Sequence, residues 1–328
     1  MRLDQDSGRG SVSGITGFAA SCCLPFLLAH QNPDGGWGYH PQAESSVEAT
    51  GWALLALASA AHEPYFEVRM RGLRWLGQAQ LPDGSWPPFA GQSAGCWVTS
   101  LACLALQVQD QCPAAVTRGL NWLVDAWPSE GSLGWQLRSR LLGASSIVRQ
   151  DSSLRGWSWT PGTASWVEPT SYALIVFDCV APQFRPAGAE RRRRLAEAML
   201  YDRMCPCGGW NSGNPQVYGV AGEPRVGTTA WALLALRNRA ASAGKQCSLD
   251  WLQQAYGGIR GPASLSLAYL CLRAYSRPAA PLEPALWDLY ERNQFLDSLL
   301  VFAWAAIALS DKLVLLASGE RGEKGVGT

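Results

Sequence analysis

Aromatic side chains recur in the most apolar segments of this sequence. The face of an aromatic ring attracts cations through its quadrupole, so rings gathered around one pocket could stabilise positive charge on a ligand or a reaction intermediate. The same rings could serve as ordinary core side chains, because large aromatics also dominate core packing. We take six of them as candidate substrate-binding residues: Trp52, Trp97, Trp166, Tyr172, Trp231 and Trp304.

Residues that commonly bind metal ions are scattered along the chain. The three histidines, His30, His40 and His62, all lie in the first fifth of the sequence, while Asp110-Gln-Cys112 and Cys205-Pro-Cys207 are isolated pairs. A structural zinc site needs four well-placed ligands. The glycines near the N-terminus also lack the preceding strand of a phosphate-binding loop. We therefore expect no metal and no cofactor.

The overall charge balance excludes some classes of partner. The chain has 27 basic and 26 acidic residues, and its formal charge is +1, so no long-range field favours nucleic acid. The run Arg191–Arg194 is most simply the solvated face of a helix, and phosphate binding is the alternative. The expected partner is a small apolar molecule or a protein.

The aromatic segments belong to an internal repeat. QNPDGGWG at 31–38 and QLPDGSWP at 80–87 match closely, and an apolar helix is predicted after each. Two of the predicted apolar helices, TGWALLAL at 50–57 and TAWALLAL at 229–236, differ at a single position. Fainter copies of the loop occur as GWSWTPG at 156–162 and CGGWNSG at 207–213. One repeated unit therefore builds the fold.

Apolar and amphipathic helices alternate along the chain. Helices that are apolar on nearly every side need shielding from water, and amphipathic partners provide it if the array closes on itself. We predict an all-α fold, an α6/α6 toroid of about twelve helices in two concentric rings. The outer helices are predicted at 15–31, 65–80, 112–127, 187–204, 248–256 and 282–295, and the inner helices at 46–61, 96–109, 166–181, 227–242, 263–276 and 296–310.

The same pattern predicts the domain organisation and the compartment. We expect a flexible N-terminus over 1–14, one toroid domain over 15–310 and a C-terminal tail over 311–328. We expect the ten cysteines to be reduced thiols of a cytoplasmic protein, because the first residues lack a signal-peptide pattern. The apolar stretch 295–317 contains Asp297, Asp311 and Lys312, so it reads as a buried helix and not as a transmembrane segment. Peripheral association with a membrane stays open.

The repeat resembles a known protein family. Gln31 with Trp37, and Gln80 with Trp86, resemble the QW repeat of squalene-hopene and oxidosqualene cyclases. The helix at 229–236 looks like an inner helix of the same superfamily, which also contains the β-subunits of protein prenyltransferases. The resemblance covers about residues 15–310. It implies the toroid fold, and it implies that the Gln and Trp of each repeat are structural and tie a loop to a neighbouring helix.

The resemblance also implies a chemistry. Cyclases of this family protonate an alkene or epoxide with an Asp-x-Asp-Asp-Thr-Ala motif and steer carbocations along aromatic faces. That motif does not occur here, and the nearest string is residues 166–171, WVEPTS. Aligned by its threonine, this string places Glu168 at the middle carboxylate, the proton donor, while Trp166 and Pro169 replace the flanking aspartates.

Glu168 also has a structural interpretation. Ser165-x-x-Glu168 and Ser45-x-x-Glu48 both read as capping boxes at inner-helix N-termini. Two hypotheses about function follow. In the first, the protein is a class II, protonation-initiated terpene cyclase that binds an isoprenoid or similar apolar substrate. This hypothesis predicts an open apolar cavity, which a homodimer or a second toroid could complete. In the second, a toroid with a filled pore binds a protein, peptide or isoprenoid without catalysis.

Overall fold

The computed structural model describes residues 17–60, 65–131 and 148–316. The described chain is almost entirely helical, which confirms the predicted fold class. Its helices, in chain order, are α1 (Leu24–Ala29, preceded by a π-helical turn at Ala19–Cys23), α2 (Val47–Ser59), α3 (Phe66–Gln78), α4 (Val98–Val108), α5 (Pro113–Asp125), α6 (Val167–Cys179), α7 (Ala189–Asp202), α8 (Val226–Ala235), α9 (Ala243–Tyr256), α10 (Pro262–Ala274), α11 (Leu282–Asn293) and α12 (Leu299–Leu309).

The even-numbered helices form a closed inner ring. Each packs against the next, in the order α2, α4, α6, α8, α10 and α12, and α12 packs back against α2. Their sequences explain this position, because they are apolar on nearly every side. In α2, every residue except Glu48 is buried. A helix of this kind is stable only when neighbours surround it.

The odd-numbered helices form the outer layer. Helices α3, α5 and α7 pack against α2, α4 and α6, while α9 contacts α8 and α10, α11 contacts α10 and α12, and α1 contacts α12 and α2. They are amphipathic: the buried residues of α5 are Ala115, Val116, Gly119, Leu120 and Leu123, which share one face. The described chain is therefore an α/α toroid.

The boundary between α8 and α9 differs from the prediction. Helix α8 ends at Ala235 and not near residue 242, and α9 begins at Ala243 and not near 248. The reason for the early start is a cap, because the Ser242 hydroxyl accepts a hydrogen bond from the backbone N–H of Lys245 at 3.2 Å.

Within the described residues, one small β-hairpin interrupts the helical pattern, which departs from the predicted all-α fold. Strand β1 (Gln216–Val217) pairs antiparallel with β2 (Val220–Ala221). Tyr218 and Gly219 between them both have positive φ, 48° and 78°, as a tight two-residue hairpin turn requires.

The segment after α12 covers one end of the inner ring. A 3₁₀ turn at Val314–Leu316 packs against α2, α4 and α6. The predicted N-terminus 1–14 lies outside the described residues, and so do residues 317–328 of the predicted tail 311–328 and residues 132–147 before α6. The domain boundaries therefore stay a prediction. None of the described helices combines the length and hydrophobicity needed to cross a membrane.

Candidate functional site

Four tryptophans connect the loops of the repeat to the outer ring. Each indole N–H donates to the carbonyl of a leucine two residues before the end of the preceding outer helix, where intrahelical donors are lacking. The pairs are Trp37 with Leu27 O (2.7 Å), Trp86 with Leu76 O (2.7 Å), Trp157 with Leu123 O (2.8 Å) and Trp210 with Leu200 O (2.6 Å). The fainter loops at 156–162 and 207–213 therefore belong to the same repeat.

The same tryptophans connect to the inner ring through their backbones. Each backbone N–H donates at 2.9 Å to a threonine hydroxyl near the start of the following inner helix; these residues are Thr50, Thr99, Thr170 and Thr229. The amide Nε2 of Gln31 donates to Gly35 O and Val68 O, and that of Gln80 donates to Gly84 O and Ala115 O. The glutamines and tryptophans of the repeat are thus structural.

Five of the six predicted aromatic residues form one cluster inside the inner ring. The centroid of the Trp231 ring lies 4.9 Å from Tyr172, 5.3 Å from Trp52 and 6.5 Å from Trp304. Trp97 stacks on Tyr172 at 5.2 Å and extends the cluster outward. Trp52 is fully buried, and its indole N–H has no partner in the described structure. The cluster presents several π-faces that could stabilise a cation.

Trp166 is placed differently from the other five. It is the residue that precedes α6, and its backbone N–H donates to the carbonyl of Trp157 at 3.0 Å in an isolated antiparallel bridge. Its side chain is half-buried. No ring contact joins it to the aromatic cluster within the described residues.

The two predicted capping boxes are wrong. Ser46, and not Ser45, caps α2 by accepting from the backbone N–H of Ala49, while Ser45 donates to Asp34 at 2.9 Å. Helix α6 has Trp166 at its N-cap with no side-chain cap, and the Ser165 hydroxyl instead accepts from Gly156 N at 3.0 Å. The carboxyl groups of Glu48 and Glu168 are therefore not occupied by reciprocal capping bonds.

Glu168 faces the neighbouring inner helix. The Thr228 hydroxyl of α8 donates to its Oε1, and its Oε2 is buried without a hydrogen-bond partner among the described residues. An unpartnered buried carboxyl oxygen is costly and is rare in folded proteins. This oxygen is free to carry a proton or to contact a ligand.

Glu48 is a second acidic residue of the site that sequence reasoning did not assign. The Tyr39 hydroxyl donates to its Oε2 at 2.6 Å, and burial raises the pKa of its carboxyl group. The pKa of Tyr172 is raised by burial first and then by the charges of Glu48 and Glu168, so both acids act on one ring of the aromatic cluster. The available signal was the string Ser-x-Val-Glu, which occurs at 45–48 and at 165–168.

The described residues contain no metal-binding group. No three His, Cys, Asp or Glu side chains converge in the parts of the chain that the structure describes, and all ten cysteines are free thiols. The early histidine His62 lies outside the described residues. The site therefore consists of carboxyl, hydroxyl and aromatic groups.

Comparison with known proteins agrees with this geometry. Residues 19–96 match the squalene-hopene cyclase C-terminal domain. The matched segment covers α1 to α3 and both Gln–Trp loops, and it includes Glu48 and Trp52 but not Glu168. The resemblance predicted from the QW repeats is confirmed.

Related sequences match over a short segment. Human lanosterol synthase is 40% identical over 72 residues, which is 19% of this chain and 10% of that protein. The match thus spans about a tenth of the length of this curated relative.

Solved structures are similar over nearly the whole chain. A protein from Actinoplanes has a TM-score of 0.58 at 16% identity, with 89% of this chain and 97% of that chain covered. The type II terpene cyclase MstE from Scytonema has a TM-score of 0.55 at 15% identity, with coverage of 91% and 98%. At this level of identity, the likeness shows that the fold is shared.

Proposed function

We propose that the protein binds an apolar isoprenoid-like substrate against the aromatic cluster and starts its cyclisation by protonation, with Glu168 as the proton donor. The observation that carries the proposal is the placement of Glu168: it lies one turn before Tyr172 of the cluster on the same inner helix, and its Oε2 is buried without a hydrogen-bond partner among the described residues. A structure of MstE holds geranylgeranyl dihydroxybenzoate as substrate, which supports a ligand of this class.

The reaction would be an isomerisation in which the enzyme lends and recovers one proton. The Glu168 O–H bond breaks as its proton forms a C–H bond with the π electrons of a terminal alkene, which leaves a carbocation and a carboxylate. A second alkene of the substrate then attacks the cation and closes a ring. Loss of a proton to a base restores an alkene, and Glu168 is reprotonated from solvent. The rings of Trp52, Trp231 and Trp304 would stabilise the cation.

Thr228 would position the acid. Its hydroxyl donates to Oε1 of Glu168 and restrains the carboxyl group, while Oε2 is left for the proton. Glu48 is the alternative proton donor, because burial raises the pKa of its carboxyl group and because its charge contributes to the raised pKa of Tyr172. Burial commonly raises the pKa of a general acid toward the pH at which the enzyme works.

A second candidate function follows from how the inner ring is filled. The cluster rings lie 4.9 to 6.5 Å apart, and Trp52 is fully buried, so aromatic side chains occupy the centre. This packing favours a toroid that binds a protein, peptide or isoprenoid without catalysis. In the catalytic alternative, we propose that a second copy or a second toroid completes the substrate cavity.

Product analysis tests the acid directly. Wild type, Glu168→Gln and the exposed control Glu44→Gln are each incubated with squalene and with linear prenyl substrates of several lengths, and organic extracts are analysed by mass spectrometry. We expect a cyclised product from wild type and the control, and none from Glu168→Gln. Glutamine can still accept from Thr228, so the melting temperature should not change.

Two results would contradict the proposal. A product that survives Glu168→Gln would assign the acid elsewhere, with Glu48 as the next residue to substitute. The absence of product from folded wild type on every substrate would favour the non-catalytic toroid.

A further inference from the structure

Three arginines surround one tryptophan on the outer side of the toroid. The guanidinium carbons of Arg155 and Arg191 each lie 5.6 Å from the centroid of the Trp127 ring, and that of Arg192 lies 3.9 Å from it. Arg192 also lies 4.3 Å from the ring of Trp157, so its guanidinium group is held between two indoles. Arg191 and Arg192 belong to the four-arginine run of α7, and Arg155 comes from the loop before α6.

These three charges have no partner of opposite sign among the described residues. The next arginine of the run differs, because Arg193 pairs with Asp178 and Glu190. Arg192 is 1% exposed, and its Nη2 donates to Ala126 O at 2.9 Å and Gly156 O at 3.1 Å. Its Nε and Nη1 have no acceptor in the described structure, and neither has Nε of Arg155.

The electrostatics point to a missing anion. Burial, followed by the charges of Arg155 and Arg191, lowers the pKa of Arg192 to about 9. Burial lowers the pKa of Arg203, and the buried carboxyl group of Glu130 opposes this effect, whereas no carboxyl group among the described residues raises the pKa of Arg192. Positive charges this close together repel one another, and an anion bound between them would remove that repulsion. Guanidinium groups suit phosphate oxygens in particular, because they donate paired hydrogen bonds in one plane.

An apolar groove lies beside the cluster. It is shallow and partly open to solvent, and Trp127 and Trp157 form part of its wall. Trp97 also lines it, and Trp97 stacks on Tyr172 of the aromatic cluster. An anionic group at the arginines would therefore lie next to an apolar surface.

We propose that Arg155 and Arg191 bind the phosphate or diphosphate group of a small molecule at the mouth of this groove. Arg192 packs against the ring of Trp127 and adds its positive charge to the site. The site is separate from the proton donor Glu168, and binding of the anion does not depend on the proposed cyclisation.

Calorimetry with inorganic phosphate and with inorganic diphosphate tests the site. The proteins are wild type, the double variant Arg155→Gln/Arg191→Gln and the control Arg194→Gln, which removes an exposed arginine of the same run. Arg192 is left intact because its buried hydrogen bonds support the fold. We expect wild type and the control to bind diphosphate alike, and the double variant to bind at least about tenfold more weakly, since charged hydrogen bonds are lost.

A second set of ligands identifies the source of the anion. Binding of a prenyl diphosphate is compared with binding of its alcohol and of inorganic diphosphate. If the prenyl diphosphate binds more tightly than the alcohol and inorganic diphosphate, its prenyl tail occupies the groove. If the prenyl diphosphate and inorganic diphosphate bind equally, the site binds a free anion.

The proposal is overturned if folded wild type binds neither phosphate nor diphosphate, or if the double variant binds them as wild type does. Circular dichroism checks that each variant is folded. Absence of any cyclised product, together with diphosphate binding that needs Arg155 and Arg191, would refute the proposed function and retain this site.

Discussion

Two glutamates at the same position of two inner helices have different surroundings. Glu48 is the second residue of α2 and Glu168 the second residue of α6, and both follow the string Ser-x-Val. Glu48 accepts from a tyrosine of the preceding loop, whereas Glu168 accepts from a threonine of the next inner helix. The shared string Ser-x-Val-Glu thus gives two carboxyl groups with different surroundings, because the tertiary partners differ.

The raised pKa of Glu48 predicts a pH-dependent stability. Burial raises the pKa above 4.5 in the folded state, so the folded protein holds this proton more tightly than the unfolded chain. The contribution is therefore fully present below about pH 4.5 and is lost as pH rises through the folded-state pKa. We expect Glu48→Gln to be more stable than wild type at pH 8 and to lose this advantage toward pH 4.5. Glutamine can still accept from Tyr39.

Urea unfolding at several pH values measures this effect. The free energy of unfolding of Glu48→Gln is compared with that of wild type and of the exposed control Glu44→Gln. Parallel curves for Glu48→Gln and wild type would show that Glu48 has the same pKa in the folded and unfolded states.

At the scale of the helices, two glycines allow the outer layer to approach the repeat tryptophans. A Cβ atom added to Gly72 of α3 would lie 2.6 Å from Cζ3 of Trp37, and one added to Gly119 of α5 would lie 2.8 Å from Cζ3 of Trp86. Both indoles are fully buried, so they have little freedom to move away. In these two units of the repeat, the outer helix therefore needs glycine where it crosses the indole.

A pair of substitutions within α3 tests this requirement. Gly72→Ala should destabilise the protein by about 1–3 kcal/mol, because overpacking displaces Trp37 or the helix. Gly77→Ala should stabilise it by about 0.5–1 kcal/mol through helix propensity, because the nearest atom to its added Cβ is Cys112 Sγ at 3.9 Å. Thermal and urea unfolding of both variants measure the two signs. A stabilising Gly72→Ala would contradict the packing argument.

The sequence predicted the helices well because their signals are local. The loops around Trp157 and Trp210 were recognised from a glycine beside a tryptophan, and both make the same hydrogen bonds as the loops around Trp37 and Trp86. The cap of α2 was misassigned, since Ser45 and Ser46 are equally good caps in sequence and only the position of Asp34 separates them.

The site was less predictable because its contacts are distant in sequence. Thr228 is 60 residues from Glu168, and nothing in the string 165–171 indicates that the two meet. The cluster of Arg155 with Arg191 and Arg192 likewise joins a loop to a helix. The aromatic cluster could be predicted, because the repeat itself places its members on inner helices that share one interior.

For the whole molecule, closure of the inner ring joins its last helix to its first helix. The Ser310 hydroxyl after α12 donates to the carbonyl of Ser59 at the end of α2, at 2.6 Å across 251 residues. Nη1 of Arg273 in α10 donates to Ala308 O and Ser310 O. Because α12 fills the space between α10 and α2, the inner helices should unfold together as one unit.

The turn at Val314–Leu316 completes this unit, and truncation tests its contribution. Val314 and Leu315 are 7% and 2% exposed, and the turn packs on three inner helices, with the carbonyl of Leu315 3.6 Å from Cys179 Sγ. A chain that ends at Ser310 should be less stable than one that ends at Leu316 by about 3 kcal/mol or more, since two buried apolar side chains are lost and the ring end is exposed to water. Urea unfolding of the two chains measures the difference. Equal stabilities would mean that the inner ring is closed by its helices alone and that this end needs no cover.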